Sequence, residues 1–220
     1  MAWQGLVLEA KSLACERGGK LIFKDLSFLV RSGEVVELRG PNGAGKSSLL
    51  RLLAGLNKSL SGSLTLTRFR HPDESRDLSQ AEKDSGFRRN DDFHGEQSHY
   101  ISHHEAVKPA LTVRENLEFW AGFQGGIADL ASLKLQHLAD DEARLLSEGQ
   151  RRRLSLSRLV SVKRPGWLLD EPTVGLDQTA LADLRNVVES HLAEGGLVVA
   201  ATHADLGLSK TRVLKLEARD

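Results

Sequence analysis

Cysteine, methionine, aromatic rings and net charge are all scarce in this 220-residue chain. The single cysteine, Cys15, has no partner for an internal disulfide, which fits a reducing compartment. Lys plus Arg number 30 and Asp plus Glu number 30, so the formal net charge is zero. That balance argues against a protein that grips nucleic acid through a broad basic field, and no nucleic-acid partner is expected. Aromatic residues make up only 5% of the chain, and no window approaches 18 uncharged apolar residues. A bilayer-spanning helix is therefore excluded as a reading of the sequence. The first residues, MAWQGLVLEAKSLACERGGK, lack the long apolar core of a secretory signal, so any work at a membrane is expected to go through a partner.

What remains is an ordinary globular composition, 40% apolar and 27% charged, in a chain long enough for one buried core and a small lobe. Residues 5–9, 21–38 and 61–67 read as short strands broken at Gly18-Gly19 and Ser32-Gly33. The alternation Leu26-Ser27-Phe28-Leu29-Val30 suits a half-buried antiparallel strand. From Arg68 to about His99 the text turns dense in charge and poor in aliphatic residues. Such a segment buries too little apolar area to offset its ordering entropy, so 68–99 is expected to be a solvated, disordered insert, with a functional lid as the alternative. Beyond it, helices are expected over 112–123, 127–138, 147–160 and 178–194, the first opened by a capping box of Thr112 and Glu115. Strands are expected at Trp167-Leu168-Leu169, 197–201 and 212–216. The alternation implies an α/β fold with a mostly parallel sheet in a single domain, 1–220.

The most specific text is Gly40, Pro41, Asn42, Gly43, Ala44, Gly45, Lys46, Ser47, Ser48, which reads G-x-x-x-x-G-K-S between an apolar strand and a helical pattern. A strand, a glycine-rich loop and a helix in that order form an anion cradle, with backbone N–H groups at the positive helix end. The spacing puts Lys46 on the β- and γ-phosphates and the Ser47 hydroxyl on Mg²⁺, so ATP and Mg²⁺ are the expected ligands. Asp170 and Glu171 end an apolar strand. Asp170 suits a contact to the same metal and Glu171 suits polarising the attacking water. Arg151-Arg152-Arg153 reads as one solvated helix face with local phosphate steering. The histidines at 94, 99, 103 and 104 share no helix face and are not expected to hold a metal.

Leu146-Ser147-Glu148-Gly149-Gln150 resembles the LSGGQ signature of the ATP-binding cassette family. The resemblance implies a cassette with an N-terminal antiparallel β subdomain and a small helical subdomain over 105–160. It implies that Ser147, Gly149 and Gln150 serve the ATP of a second subunit, with Asp177 communicating across a homodimer and His203 sensing the γ-phosphate. It puts Arg17 where an aromatic residue usually stacks on adenine. His104 falls where the family has a glutamine that touches Mg²⁺ and water. Glu148 stands at the third signature position, where glycine is usual. Within the family, LACERGGKLIFKDLSF and YISHHEAVKPALTVRENLEFW are similar to the ATPase subunits of cytochrome c maturation systems. That resemblance covers 1–67 and 100–217. It implies integral membrane subunits of the CcmB and CcmC type and a place on the cytoplasmic face of the inner membrane. It also implies ATP hydrolysis coupled to haem export or to release of a haem-loaded chaperone. The alternatives are another cassette exporter, or a soluble cassette ATPase of DNA repair or translation.

Overall fold

Residues 3–69, 97–203 and 205–217, those described by a computed structural model, form two sheets and four α-helices. Strand β1 (Leu6–Arg17) lies between β2 (Lys20–Arg31) and β4 (Ser61–Arg68) in an antiparallel sheet. The second sheet holds β3 (Val35–Arg39), β5 (Ser98–Ile101), β6 (Gly166–Asp170), β7 (Leu197–Ala201) and β8 (Thr211–Lys215). Its order is β5-β6-β7-β3-β8 and every pairing is parallel. The helices are α1 (Lys46–Leu53), α2 (Val113–Gln124), α3 (Glu148–Ser161) and α4 (Gln178–Ala193). The expected α/β class, with an antiparallel subdomain beside the parallel core, is the observed one.

The parallel sheet is buried on both faces, and residues alternate between two cores as strand geometry requires. Val36, Leu38, Leu168 and Val199 face Leu49, Leu50 and Leu53 of α1 and the antiparallel sheet. Val35, Trp167, Leu169 and Val198 face Leu156 and Leu159 of α3 and Leu184 and Val188 of α4. A third cluster, with Val113, Leu117, Leu135 and Leu154 among its members, fills the helical lobe.

The chain departs from the sequence expectations at four places. β1 continues past residue 9 to Arg17, across register shifts after Ala10 and a left-handed Ser12 (φ 47°), which blur its alternation. The helix expected over 127–138 is a chain of turns with a single 3₁₀ turn at Gln136–Leu138. There the Asp129 carboxylate accepts from the backbone N–H groups of Ala131 and Ser132, which competes with helix formation, and Lys134 is left-handed. Helix α2 begins at the expected capping box; helical spacing predicts Val113, Leu117, Trp120 and Ala121 on its inner face, whereas the buried face is Val113, Asn116, Leu117 and Ala121. Trp120 lies at that face's margin under the Arg158 guanidinium. Most of the 68–99 segment lies outside the described residues. Its described ends are ordered into the core, with Phe69 buried behind β4 and Ser98 and His99 buried in β5.

Two buried histidines make stability pH-dependent. His99 is buried with its Nε2 2.7 Å from the Val162 carbonyl, and burial pushes its pKa down to about 4. His191 stacks on Trp167 at 3.8 Å and 7°, and burial pushes it down to about 3. Both are neutral in the fold and protonate in the unfolded chain below about pH 6.5. The unfolded chain therefore binds more protons between pH 6.5 and 3, so stability rises with pH there and is lost as pH falls. Each group contributes on the order of 1.4 kcal/mol per pH unit across its window. Urea midpoints should fall from pH 7 to pH 4.5, and the fall should be smaller in His191→Phe, which keeps the ring stack; an identical fall in both proteins would refute this origin.

Candidate active site

The carboxyl ends of β3, β6 and β7 stop at one edge of the parallel sheet, and the candidate site is built on that edge. Register sets the level: Leu38 pairs with Ala201, and Ala201 pairs with Asp170. The chain leaves β3 into Gly40–Gly45 and enters α1 at Lys46. Gly45, the N-cap, has φ 94°, and a Cβ there would sit 2.4 Å from Ile22 Cγ2, so only glycine fits the turn. Lys46 is 8% exposed, and its Nζ donates to the carbonyls of Gly40 (2.7 Å) and Pro41 (3.1 Å). The loop is thus drawn round its own cation.

Asp170, 2% exposed at the end of β6, collects three polar neighbours. Ser47 Oγ donates to Oδ1 at 3.1 Å, Tyr100 Oη donates to Oδ2 at 3.4 Å, and His103 Nδ1 lies 3.8 Å from Oδ2. Desolvation by burial is the main cause that raises the Tyr100 phenol. Next along the chain, Glu171 has a left-handed backbone (φ 48°), a costly conformation for a residue with a Cβ. Its N–H donates to the Ala201 carbonyl at 2.8 Å, and its Oε1 lies 3.4 Å from His203 Nε2.

A cavity of about 550 Å³ opens over these groups. Its lining includes Arg17, Asn42, Gly43, Gly45, Lys46, Ser47, Ser48, Asp170, Glu171 and His203. Nine-residue spacing in the loop and residues more than a hundred positions away thus meet in one volume. Gly40, Pro41 and Ala44 shape the loop without lining the cavity. Ser47 Oγ and the Asp170 carboxylate supply hard oxygen donors that match Mg²⁺, which takes few protein ligands and completes its shell with water and phosphate. Among the described residues no cluster of three or more His, Cys, Asp or Glu side chains could hold a metal alone.

The adjacent histidines exchange places relative to the sequence reading. His103 lines the cavity and faces Asp170, whereas His104 stacks obliquely on His103 and its backbone carbonyl accepts from Ser102 Oγ. A one-residue offset in the β5–α2 loop is beyond what spacing resolves.

The signature lies away from this cavity. Ser147 caps α3 in a reciprocal box: Gln150 N–H donates to Ser147 Oγ and Ser147 N–H donates to Gln150 Oε1. Glu148 packs its side chain beside Gly175. Asp177 caps α4 by accepting from Ala180 N–H at 2.7 Å, and this bond, its largest cause, together with Arg153 at 2.9 Å, lowers its carboxyl pKa. None of Ser147, Gly149, Gln150 or Asp177 lines the cavity that holds Lys46.

The arginine run is not one solvated face. Arg151 donates to the Leu146 carbonyl and lies 3.4 Å from Glu105, and Arg153 pairs with Asp177. Arg152 is 3% exposed and donates to the carbonyls of Ser102 (2.8 Å), Asp170 (3.1 Å) and Glu171 (2.7 Å). It ties α3 to the strand end that carries both acids. Charge in sequence is read as surface, and only the helix phase could have signalled that the middle arginine points inward. Arg152→Met, which keeps the stem and deletes the donors, should destabilise the chain by about 1–3 kcal/mol in urea unfolding. Arg151→Met should cost clearly less. Equal effects would remove Arg152's special place.

The ABC transporter family matches residues 23–174. The cytochrome c biogenesis ATP-binding export protein CcmA of Nitrobacter winogradskyi is 46% identical over 207 residues, covering 92% of this chain and 94% of that one. Its counterpart in Paramagnetospirillum magneticum is 40% identical over 217 residues, covering 94% and 93%. Among solved structures, a putative ABC transporter ATP-binding protein from Pyrococcus furiosus superposes with a TM-score of 0.73 at 21% identity, covering 96% of this chain and 97% of that one. An ATP-binding cassette solved as a dimer in a post-hydrolysis state bound to ADP and Pi gives 0.69 at 22% identity, covering 97% of each. The structural likenesses carry the fold; the sequence matches, which run through the phosphate loop and the acid pair, carry the kinship. The chain belongs to the ABC transporter family, alongside the cytochrome c biogenesis ATP-binding export proteins.

Proposed function

We propose that this chain is the ATP-hydrolysing subunit of a membrane export complex in cytochrome c biogenesis. The observation that carries the reading is the division of the site. Lys46, Ser47, Asp170, Glu171 and His203 share one cavity, while the caps Ser147 and Asp177 lie outside it. Half a site on each of two faces is what a symmetric pair of copies completes twice. In the closed pair, ATP lies between the phosphate loop of one copy and Ser147, Gly149 and Gln150 of the other, at the positive end of α3. Arg17 offers a guanidinium plane to the base.

Lys46 leaves the loop carbonyls for the β- and γ-phosphates, since a phosphate oxygen is a stronger acceptor than a carbonyl. Ser47 and Asp170 would hold Mg²⁺, whose charge would offset that of the phosphates. Glu171 orients a water for in-line attack on the γ-phosphorus and takes its proton as the bond to the ADP oxygen breaks. His203, with Nε2 3.4 Å from Glu171 Oε1, offers a ring N–H donor to the γ-phosphate. His103 lies beside Asp170, and His104 backs it. Arg152 holds the carbonyls of both acids, so closure acts on a prepared geometry.

A membrane partner fits the lobe surface. Phe119, Phe123 and Ile127 are exposed, the last at 85%, and Phe119 and Phe123 stack in parallel with Lys108 over the first. An aromatic patch of this kind marks an interaction site. Among the described residues no helix is long and apolar enough to cross a membrane, so attachment goes through integral subunits of the CcmB and CcmC type, on the cytoplasmic face of the inner membrane. The proposed load is haem or a haem-loaded chaperone; the relatives' names speak of export in cytochrome c biogenesis.

Glu171→Gln should keep ATP binding, lose at least about 10²-fold in phosphate release, and accumulate an ATP-dependent dimer by light scattering. Equal, background-level release from wild type and variant would favour a regulatory ATP-binding protein instead. Recovery with ribosomes or DNA rather than an integral membrane protein would overturn the export reading.

A further inference from the structure

Strand β3 lies between β7 and β8 in the parallel sheet, yet it carries two charges, Val35-Val36-Glu37-Leu38-Arg39. Glu37 and Arg39 are two residues apart and share one face, where Val35 packs with Val198, Ala200 and Leu206. Glu37 is 1% exposed in that apolar setting. A carboxylate buried there is costly unless its oxygens find donors. Here both oxygens do. Oε1 accepts from the Leu206 N–H at 3.0 Å, and Oε2 accepts from Arg39 Nε at 3.1 Å and Nη2 at 2.6 Å. The phosphate loop begins at the next residue, Gly40, but neither charged side chain lines the nucleotide cavity.

What the pair touches instead is the chain beyond β7. The third guanidinium nitrogen of Arg39, Nη1, donates to the His203 carbonyl at 3.3 Å. Glu37 and Arg39 thus fasten that chain at two points, the His203 carbonyl and the Leu206 N–H. The His203 side chain is 58% exposed, with Nε2 3.4 Å from Glu171 Oε1. Packing constrains an exposed ring only weakly, so the place of its backbone decides whether the ring meets Glu171. Glu171 itself is held by Arg152, which donates to its carbonyl at 2.7 Å. One arginine therefore anchors the backbone of each member of the Glu171–His203 pair. We propose that Glu37 and Arg39 are positioning residues for ATP hydrolysis: Arg39 sets the His203 backbone so that its ring meets Glu171 and the γ-phosphate, and Glu37 holds Arg39 in place. The inference rests on the assignment of His203 to the γ-phosphate.

The test uses the full chain carrying Glu37→Gln and Arg39→Met together. This pair removes the anchor and leaves no unpaired charge in the core, whereas Arg39→Met alone strands the Glu37 carboxylate. In the pair variant kcat for phosphate release should fall at least about tenfold, with KM for ATP within about twofold of wild type. The non-hydrolysable analogue AMP-PNP should bind about fivefold more weakly, and ADP, which lacks the γ-phosphate, within about twofold of wild type. In a His203→Ala background the pair should lower kcat by less than about twofold, since it acts through a ring that is gone. Arg39→Lys keeps a charge beside Glu37 but has one nitrogen to share between Glu37 and His203, and it should show the same pattern in smaller degree. Equal weakening of ADP and AMP-PNP would mark a general loosening of the fold and overturn the inference. So would a loss of kcat that multiplies with that of His203→Ala. Wild-type phosphate release in His203→Ala would overturn the role of His203 and this inference together. A loss in His203→Ala but not in the pair variant would overturn this inference alone.

Discussion

Parallel pairing of β3, β6 and β7 is the constraint on which the rest of this structure depends. Because the three strands run the same way in register, their carboxyl ends reach the same edge together. Ligands in open α/β sheets sit outside such an edge, where loops diverge and backbone groups are free to point at an anion. Here that edge receives a glycine loop from β3, two acids from β6 and a histidine beyond β7. The register also explains why both cores must be full. A central strand displaced by one residue would move its apolar set to the wrong face and its terminal acid out of the cavity.

Second to the sheet comes a single buried cation. Arg152 spends its guanidinium on three backbone carbonyls, two of them at Asp170 and Glu171. Burial lowers its pKa, and the nearby carboxylates Glu105, Asp170 and Glu171 oppose that. The bonds hold a strand end in which Glu171 adopts a left-handed backbone. Strain of that kind persists only where surrounding contacts over-determine the conformation. The helix that supplies Arg152 also opens with Ser147, so the cap facing away from the cavity and the acids within it belong to one rigid connection.

Much of this was legible in the chain text. The glycine loop, the acid pair and the capping box at Thr112 are local patterns whose chemistry depends on spacing within a few residues. Strands β6 and β7 were legible because buried parallel strands are short apolar runs. The long β1 was not, since its register shifts interrupt the alternation at Ala10 to Leu13. The turns after Gly126 were not, since Asp129 redirects backbone N–H groups that a periodic pattern assigns to a helix. His99 was assigned to a polar insert because a histidine between charged residues carries no sign of burial, yet β5 carries it into the core at 2% exposure.

The sequence by itself determined the class of chemistry. A phosphate cradle, its lysine and hydroxyl, and a strand-end acid pair specify a nucleotide triphosphate and a hard cation, because those roles depend on residue type and local backbone. The tertiary structure decided which of two neighbouring histidines meets Asp170, which of three arginines turns inward, and that Ser147 and Asp177 stand apart from Lys46. Those are questions of side-chain direction across long sequence separations, set by sheet register and helix phase. Spacing within a few residues does not report how distant segments are brought together.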